Sequence, residues 1–586
     1  MVDPKNGGGG GGGSGRAYPV MSRREVESLI AEGRAIIIVE QHVLKVDAWI
    51  KYHPGGDKAI THMIGRDATD EVTVMHSAEA YQMMKKYRIG RVEGRWKNFL
   101  PPIQGGKFRA RVEAEEEEEE EDCAGMLPEL AKDAVMASSS GESSRSPSPV
   151  FDSAETAVAS GLRKRQRAVP RSPSTTSLSS VDDSVADAPV DGMAHLDVLT
   201  RKEIRLDLAK YPAPDHATQD AIVDKYRRLH ERIKAEGLYD CNYWAYAVEV
   251  TRYTVIFGLM LLFLRWKWYA TSAFFLGLFW HQLVFTAHDA GHMGITHNFQ
   301  VDTCIGILIA DFLGGLSIGW WKRNHNVHHI VTNSPEHDPD IEHMPFFAIS
   351  HRFLASLRST YYERVMDYDA AAKFFISLQH RLYYIILLFG RFNLYRLSWV
   401  YLIAGQGPRK GVAAWHRWFE IAGQVFFWTW FGYGVLYKSI DSNWSRFVYV
   451  MVSHMVTTPL HVQITLSHFA MSTADLGADE SFPQKMLRTT MDVDCPPWLD
   501  FVHGGLQFQA IHHLFPRVPR HNLRKAQRLV QEFCDEAGIP YALYGFVGGN
   551  KKVIGRLEDV SRQAAILAKC QSVMAGIEKG HDHHNH

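Results

Sequence analysis

Apolar and polar positions divide the chain into stretches of different character. Residues 1–17 are nearly all glycine or polar, with nothing to bury, and read as a disordered tail. From Tyr18 to Pro101 the pattern is that of a small mixed domain. SRREVESLI pairs a capping serine with apolar residues at helical spacing, Ala35–Val39 is a short strand-like run, and SAEAYQMMKKY returns to helical spacing. The pattern then lapses. EAEEEEEEED (Glu113–Asp122) and a Ser/Pro/Ala-rich stretch over about 137–192 bury too little to pack, so 102–195 is read as a disordered linker.

The remainder is dominated by long apolar segments. Residues 248–264 and 268–287 each approach the roughly 20 residues that cross a bilayer, and only RWK separates them, which makes a helical hairpin. A second pair, 418–437 and 446–466, is joined by KSIDSNWS, and tryptophan and tyrosine gather at the ends as at membrane interfaces. Stretches 301–320 and 382–404 are apolar but interrupted by Asp, Gly or Arg, and are expected to lie in the interface or dip partway in. The expected fold class is therefore multi-domain. An α+β domain over 18–101 and the linker precede an all-α membrane domain of about four transmembrane helices over 196–545, with a tail over 546–586. An even number of spans puts both termini on one side, and basic flanks make that side cytosolic. Arg265 and Lys267 in the first short loop run against that orientation. The N-terminus has no apolar signal-peptide core, so internal segments must drive insertion.

Composition narrows the chemistry. A net charge of -1 gives no reason to expect nucleic acid as a partner, and RKRQR (163–167) reads as a solvated linker patch. Six cysteines without a CxxC pair fit a reducing, cytosol-facing setting rather than a disulfide framework. The unusual number is 30 histidines, and their positions matter.

His53-Pro54-Gly55-Gly56 is followed about two dozen residues on by His76. A six-coordinate b-type haem needs two neutral imidazoles from separate elements, and paired glycines let backbone turn tightly beside a ligand. In a domain of this size the motif resembles cytochrome b5, with WIKYHPGGDKAI its most specific part. The resemblance implies His53 and His76 as axial ligands of haem b and an electron-carrying role. His42 and His62 read as surface or packing residues.

Three histidine clusters follow: HxxxH at His288 and His292, HxxHH at His325, His328 and His329, and QxxHH at Gln509, His512 and His513. Residues i and i+4 share a helix face, so each cluster offers several imidazoles to one centre. Three clusters can bind a pair of metal ions. Imidazole suits iron among the metals that handle dioxygen, although it also accepts zinc or copper. His454, His461 and His468 recur every seven residues, and His468 stands at the cytosolic end of that stripe, where the boxes gather. His281 reads as packing or support for the centre, and the terminal HDHHNH as a solvated tail.

HDAGH (288–292), WWKRNHNVHH with the downstream DPD (Asp338–Asp340), and HGGLQFQAIHHLFPRVPRHNL (503–523) resemble the front-end desaturases, membrane enzymes with a fused cytochrome b5 domain. The resemblance spans roughly 240–545 besides the haem domain. It implies two iron ions held by the box histidines, with His468 as a further ligand, and Gln509 as the residue that sets this group apart. It further implies O2 as co-substrate and electrons drawn from NAD(P)H through a cytochrome b5 reductase. One departure is that the third box reads QAIHH where the family often has QIEHH, which leaves the ligand positions intact. The long acidic, Ser-rich insertion and QAIHHLFPRVPRHNLR look like the fungal sphingolipid Δ8-desaturases. That implies an endoplasmic-reticulum membrane enzyme acting on the long-chain base of ceramide, with haem domain and boxes on the cytosolic side. A Δ5/Δ6 acyl-lipid desaturase is the alternative, followed by a lipid hydroxylase and a non-enzymatic haem membrane protein.

Overall fold

The computed structural model describes residues 18–108, 151–152 and 192–582. The Gly-rich 1–17, the acidic run, the RKRQR string and the last four residues of HDHHNH lie outside the described residues.

In the N-terminal domain Ser22 caps the helix Arg23–Ala31. Its hydroxyl accepts from the Glu25 N–H, and the Glu25 carboxylate accepts from the Ser22 N–H at 2.7 Å. Strands Ile36–Val39 and His42–Lys45 form a hairpin, and Arg88–Arg91 pairs antiparallel with the second strand. The two-residue turn places Glu40 and Gln41 at φ 47° and 62°, the left-handed geometry that matches strand twist. Ile36 and Ile38 pack with Val26, Val43 and Phe99, while Ile37 and Val39 face Leu44, Val46 and Met63. Both faces are covered, which is why the run is continuously apolar rather than alternating.

The second unit is helical. Helices Tyr243–Arg265 and Tyr269–Gly291 are each 23 residues long and apolar enough to cross a membrane. Helix Phe299–Ile307, continued as a π-turn to Leu313, bends by 117° into helix Ile318–Val331, and this pair counts as a third candidate crossing. The second expected pair of spans is broken into shorter segments, and among the described residues none of them is by itself long and apolar enough to cross a membrane. His416–Phe427 runs into a π-helix Trp428–Lys438, and Asn443–Met455 is separated from Thr458–Phe469 at Pro459. A proline inside a helix removes a hydrogen bond and clashes with the preceding turn, so the break falls there. Stretch 382–404 is likewise two helices, Ala370–Leu387 and Gly390–Ala404.

The 117° bend exposes backbone groups that lipid cannot satisfy. Buried side chains do so instead. The Asp311 carboxylate accepts from the Ile318 N–H and from Gln424 Nε2, and Arg391 donates to the Gly314 carbonyl. The Glu420 carboxylate accepts from the Ser317 hydroxyl and the Gly319 N–H. The polar interruptions that make these stretches poor spans thus hold the bend.

Two boundaries differ from the sequence reading. A helix begins at Gly192, inside the expected linker. Residues 546–586, read as a tail, carry a helix over Phe546–Asp582. Val553, Leu557, Val560, Ala564 and Leu567 recur at four- and three-residue spacing and are buried with Ile376 and Tyr383 of helix Ala370–Leu387.

The two units are in contact. Arg323 pairs with Asp57 at 2.9 Å, Arg227 with Asp70 at 2.8 Å and Arg95 with Asp220 at 3.3 Å. Ala59 packs among Val327, Val331 and Tyr361.

Candidate metal centre and haem site

His53 lies in the loop after the short helix Asp47–Ile50, and His76 ends helix Thr69–Met75. Their ring centroids are 5.9 Å apart. His53 Nδ1 bonds the Gly56 carbonyl at 2.7 Å and His76 Nδ1 the Val72 carbonyl at 3.1 Å. Each carbonyl accepts the Nδ1 proton, which leaves each Nε2 as the metal-ligating lone pair. Burial lowers both pKa values, that of His76 to about 3, so both rings are neutral at physiological pH. The pair fits an axially coordinated haem.

The paired glycines have a second use. A Cβ on Gly55 would meet Asn326 Nδ2 at 2.8 Å, and one on Gly56 would meet the Arg323 side chain at 2.8 Å. Asn326 Nδ2 in turn donates to the Gly55 carbonyl at 3.2 Å. On the other side, Arg517 donates to the His76 carbonyl at 2.6 Å. Asn326 stands between His325 and His328, and Arg517 four residues after His513. Each histidine loop of the N-terminal domain is therefore bonded to a segment that carries box histidines.

The boxes converge. His288, His292, His325 and His512 form one group, and His328, His468 and His513 another, with candidate ligand atoms inside each group within 4.8 Å of one another. His329 joins them, with its ring 4.3 Å from that of His513 and 4.8 Å from that of His512. The first group comes from the end of helix Tyr269–Gly291, from helix Ile318–Val331 and from helix Gln509–Leu514, where Gln509 opens the turn and is buried. His468 comes from the last turn of helix Thr458–Phe469. His281 packs edge-on against Phe285, and His454 stacks on Phe392 at 4.6 Å. Among the described residues His42 bonds the Glu40 carbonyl, whereas His62 is buried and reaches Thr360 Oγ1 at 2.9 Å across the two units.

The donor set suits a pair of metal ions. Among the described residues, His292, His512 and His513 each bury an Nε2 without a hydrogen-bond partner, an arrangement costly unless something ligates it. Burial among like imidazoles holds His512 and His513 well below their ordinary pKa, the neutral form a metal needs. His328 Nδ1 bonds Asp338 at 2.8 Å, which directs Nε2 towards His468, and His325 Nδ1 lies 3.3 Å from Asp340. The two aspartates of DPD thus orient two ligands.

Several supporting residues had no distinct signal in the sequence. Gly291 admits Trp321, whose ring stacks on His325 at 4.5 Å and lies 5.2 Å from both His288 and His292. Arg520 is buried and donates to both Asp289 and Glu249, tying the third-box region to the first two apolar helices. Asp492 accepts the Ala510 N–H at 2.8 Å, at the start of the third-box helix. These are charged or glycine positions far apart in sequence, and only the fold brings them together.

Residues 22–93 match the cytochrome b5-like haem/steroid-binding domain and residues 264–545 the fatty acid desaturase family. A Delta 8-(E)-sphingolipid desaturase of Emericella nidulans is 61% identical over 565 residues, covering 96% of this chain and 98% of that protein. The chain belongs to the cytochrome b5-fused fatty acid desaturases. A protein of the same description from Candida albicans is 48% identical over 94% of this chain and 97% of its own length. The acyl-lipid (9-3)-desaturase of Borago officinalis, 34% identical, is aligned over 61% of this desaturase and 79% of its own length.

Proposed function

We propose that this desaturase inserts a trans double bond at C8 of the sphingolipid long-chain base, on ceramide, using O2 and a two-iron centre fed by its own haem domain. The observation that carries the reading is the pair of adjoining histidine groups beneath a docked two-histidine haem site. The sphingolipid substrate and trans geometry rest on the relatives that match nearly end to end. His288, His292, His325 and His512 would hold one iron and His328, His468 and His513 the other, with His329 beside both groups and Gln509 at the start of the third box. When bound, iron supplies the oxidant made from dioxygen that an unactivated methylene requires. A haem held by His53 and His76 supplies electrons singly, drawn from NAD(P)H through a cytochrome b5 reductase. The chain's own part is to hold the imidazoles aimed at the centre, to exclude water, and to align one methylene pair.

Four crossings are supported by the paired helices and by exposed Trp244 and Trp418 at one end and Trp266, Trp268 and Trp444 at the other. The reading puts the enzyme in the endoplasmic-reticulum membrane with its histidine sites on the cytosolic face, and the basic flanks of the spans favour that side.

Lipid mass spectrometry of yeast expressing this chain tests the reading, with sphingoid bases and fatty acids analysed apart. The expected product is a sphingoid base lighter by two hydrogens, absent with His512→Ala. New unsaturation confined to fatty acids would favour the acyl-lipid alternative, and a hydroxylated base a hydroxylase. Unchanged lipids with intact haem spectra would leave a non-enzymatic haem protein.

A further inference from the structure

Helix Ile318–Val331 presents two different faces. His325, His328 and His329 belong to the histidine groups of the metal centre. Arg323, Asn326, Val327 and Ile330 recur at i, i+3, i+4 and i+7, the spacing of a single helix face, and that face meets the N-terminal domain. Arg323 pairs with Asp57 at 2.9 Å, Val327 packs with Ala59, and Ile330 packs against the apolar cluster that holds Ile60 and Met63. Asn326 Nδ2 donates to the Gly55 carbonyl at 3.2 Å.

The contact at Asn326 lies closer to both histidine sites than the rest of that face. Asn326 Nδ2 and Cε1 of the His53 ring each stand 2.8 Å from the point that a Gly55 Cβ would occupy. Glycine leaves that point open, so the imidazole edge and the amide adjoin one narrow gap. At its other end Asn326 is joined by one peptide bond to His325, whose candidate ligand atom is within 4.8 Å of those of His288, His292 and His512. The other histidine loop is connected less directly. Arg517 reaches the His76 carbonyl with the end of a long side chain, four residues beyond His513.

We propose that electrons enter the metal centre through this helix, with Asn326 as the bridge between the His53 ring and His325; the inference rests on the reading above that the haem domain feeds a two-iron centre. In each delivery a haem held by His53 and His76 is oxidised by one electron, and an iron held by the group containing His325 is reduced by one. Two deliveries supply the electron pair that, with one O2 and two protons, takes two hydrogens from the lipid and leaves two waters. No bond forms or breaks at Asn326. It is a positioning residue, and it acts by keeping a short bonded path between the two histidines. The same geometry gives Gly55 a part in contact between the two units, apart from any part in holding haem.

The test uses the full-length enzyme, loaded with haem and iron, in nanodiscs that contain ceramide. Reduced enzyme is mixed with O2 and haem reoxidation is followed by absorbance, while hydrogen exchange over residues 53–61 reports how firmly the haem domain is docked. Asn326→Leu is close in size and lacks the donor. It is expected to slow haem reoxidation severalfold, with haem content, iron content and exchange protection unchanged. Lys58→Met, which removes the pair with Glu363 away from the bridge, should slow reoxidation only as far as it lowers that protection. If Asn326→Leu loads iron poorly, Asn326→Asp, the isosteric change that turns the donor into an acceptor, carries the same comparison. Unchanged reoxidation in the Asn326 variant, or slowing that merely follows lost protection as in Lys58→Met, would overturn the bridge. A wild-type haem that reoxidises no faster with iron bound than without it overturns instead the reading that the haem domain feeds the centre.

Discussion

Asp338 is fully buried and accepts from His328 Nδ1 through both oxygens, at 2.8 and 3.0 Å, while its Oδ2 also accepts the Asn333 N–H at 2.7 Å. It is fixed by backbone and in turn fixes the tautomer of a ligand. Replacing Asp338 with Asn keeps the volume but offers His328 an amide that need not present its oxygen, and iron affinity and turnover should fall about 10- to 100-fold. Iron content at graded free iron, read beside haem content, checks this; unchanged iron affinity would reduce Asp338 to a packing residue. Arg520 is a different case. It donates to two carboxylates, Asp289 beside the first box and Glu249 on the preceding helix. Arg520→Met leaves Asp289 buried without a cation and Glu249 with His521 as its remaining basic neighbour at 2.9 Å, and breaking such a buried pair typically costs about 3–5 kcal/mol. The expected result is a marked drop in thermal unfolding temperature in detergent; an unchanged one would mean the acids are otherwise compensated. The box histidines were legible in sequence because their spacing is itself a signal. Asp338 and Arg520 stood inside motifs quoted from the sequence, but their partners were not legible, because a lone charge announces no partner until the fold supplies one.

Among elements, the first hairpin was readable almost to its ends, since helices Tyr243–Arg265 and Tyr269–Gly291 are unbroken and apolar. The second was readable in place but not in shape. Hydropathy registers apolar content and is blind to the break at Pro459 and to the π-helix Trp428–Lys438. The C-terminal helix was missed for another reason. Its apolar positions follow helical spacing, but mean hydropathy is low because charged residues fill the other face. If Val553, Leu557 and Val560 are a true part of the core, Leu557→Ala should cost about 2–5 kcal/mol. The check is the half-life of activity on heating the solubilised enzyme, with Lys551→Ala, an exposed position on the same helix, as the control. Equal half-lives for the two variants would mean that the helix is loosely attached and that the tail reading was the better one.

At the scale of the whole molecule, the question is how one haem domain can both take up electrons and pass them to the metal centre. Both histidine loops are covered in the docked arrangement, one by Asn326 and the other by Arg517. A face so covered is closed to any external electron donor, so on the proposed reading the domain leaves to be reduced and returns to deliver. The charged pairs that hold it are suited to release: Arg227–Asp70 and Arg95–Asp220 each keep one or both side chains substantially exposed, and such pairs contribute little individually and weaken with salt. Tethering returns the domain without a high-affinity interface. Arg517→Gln should then slow reoxidation of pre-reduced haem about tenfold in the presence of lipid and O2, the factor carried by one charge-assisted hydrogen bond. Reduction of the haem by the reductase should not slow, because that step uses the undocked domain. Raising salt from about 0.1 M to about 1 M, which cuts the screening length from about 10 Å to 3 Å, should slow reoxidation in wild type as well. Stopped-flow absorbance of the haem follows both half-reactions separately. If Arg517→Gln slows reduction and reoxidation alike, the arginine supports the haem pocket rather than the docked state, and electron delivery must use another face.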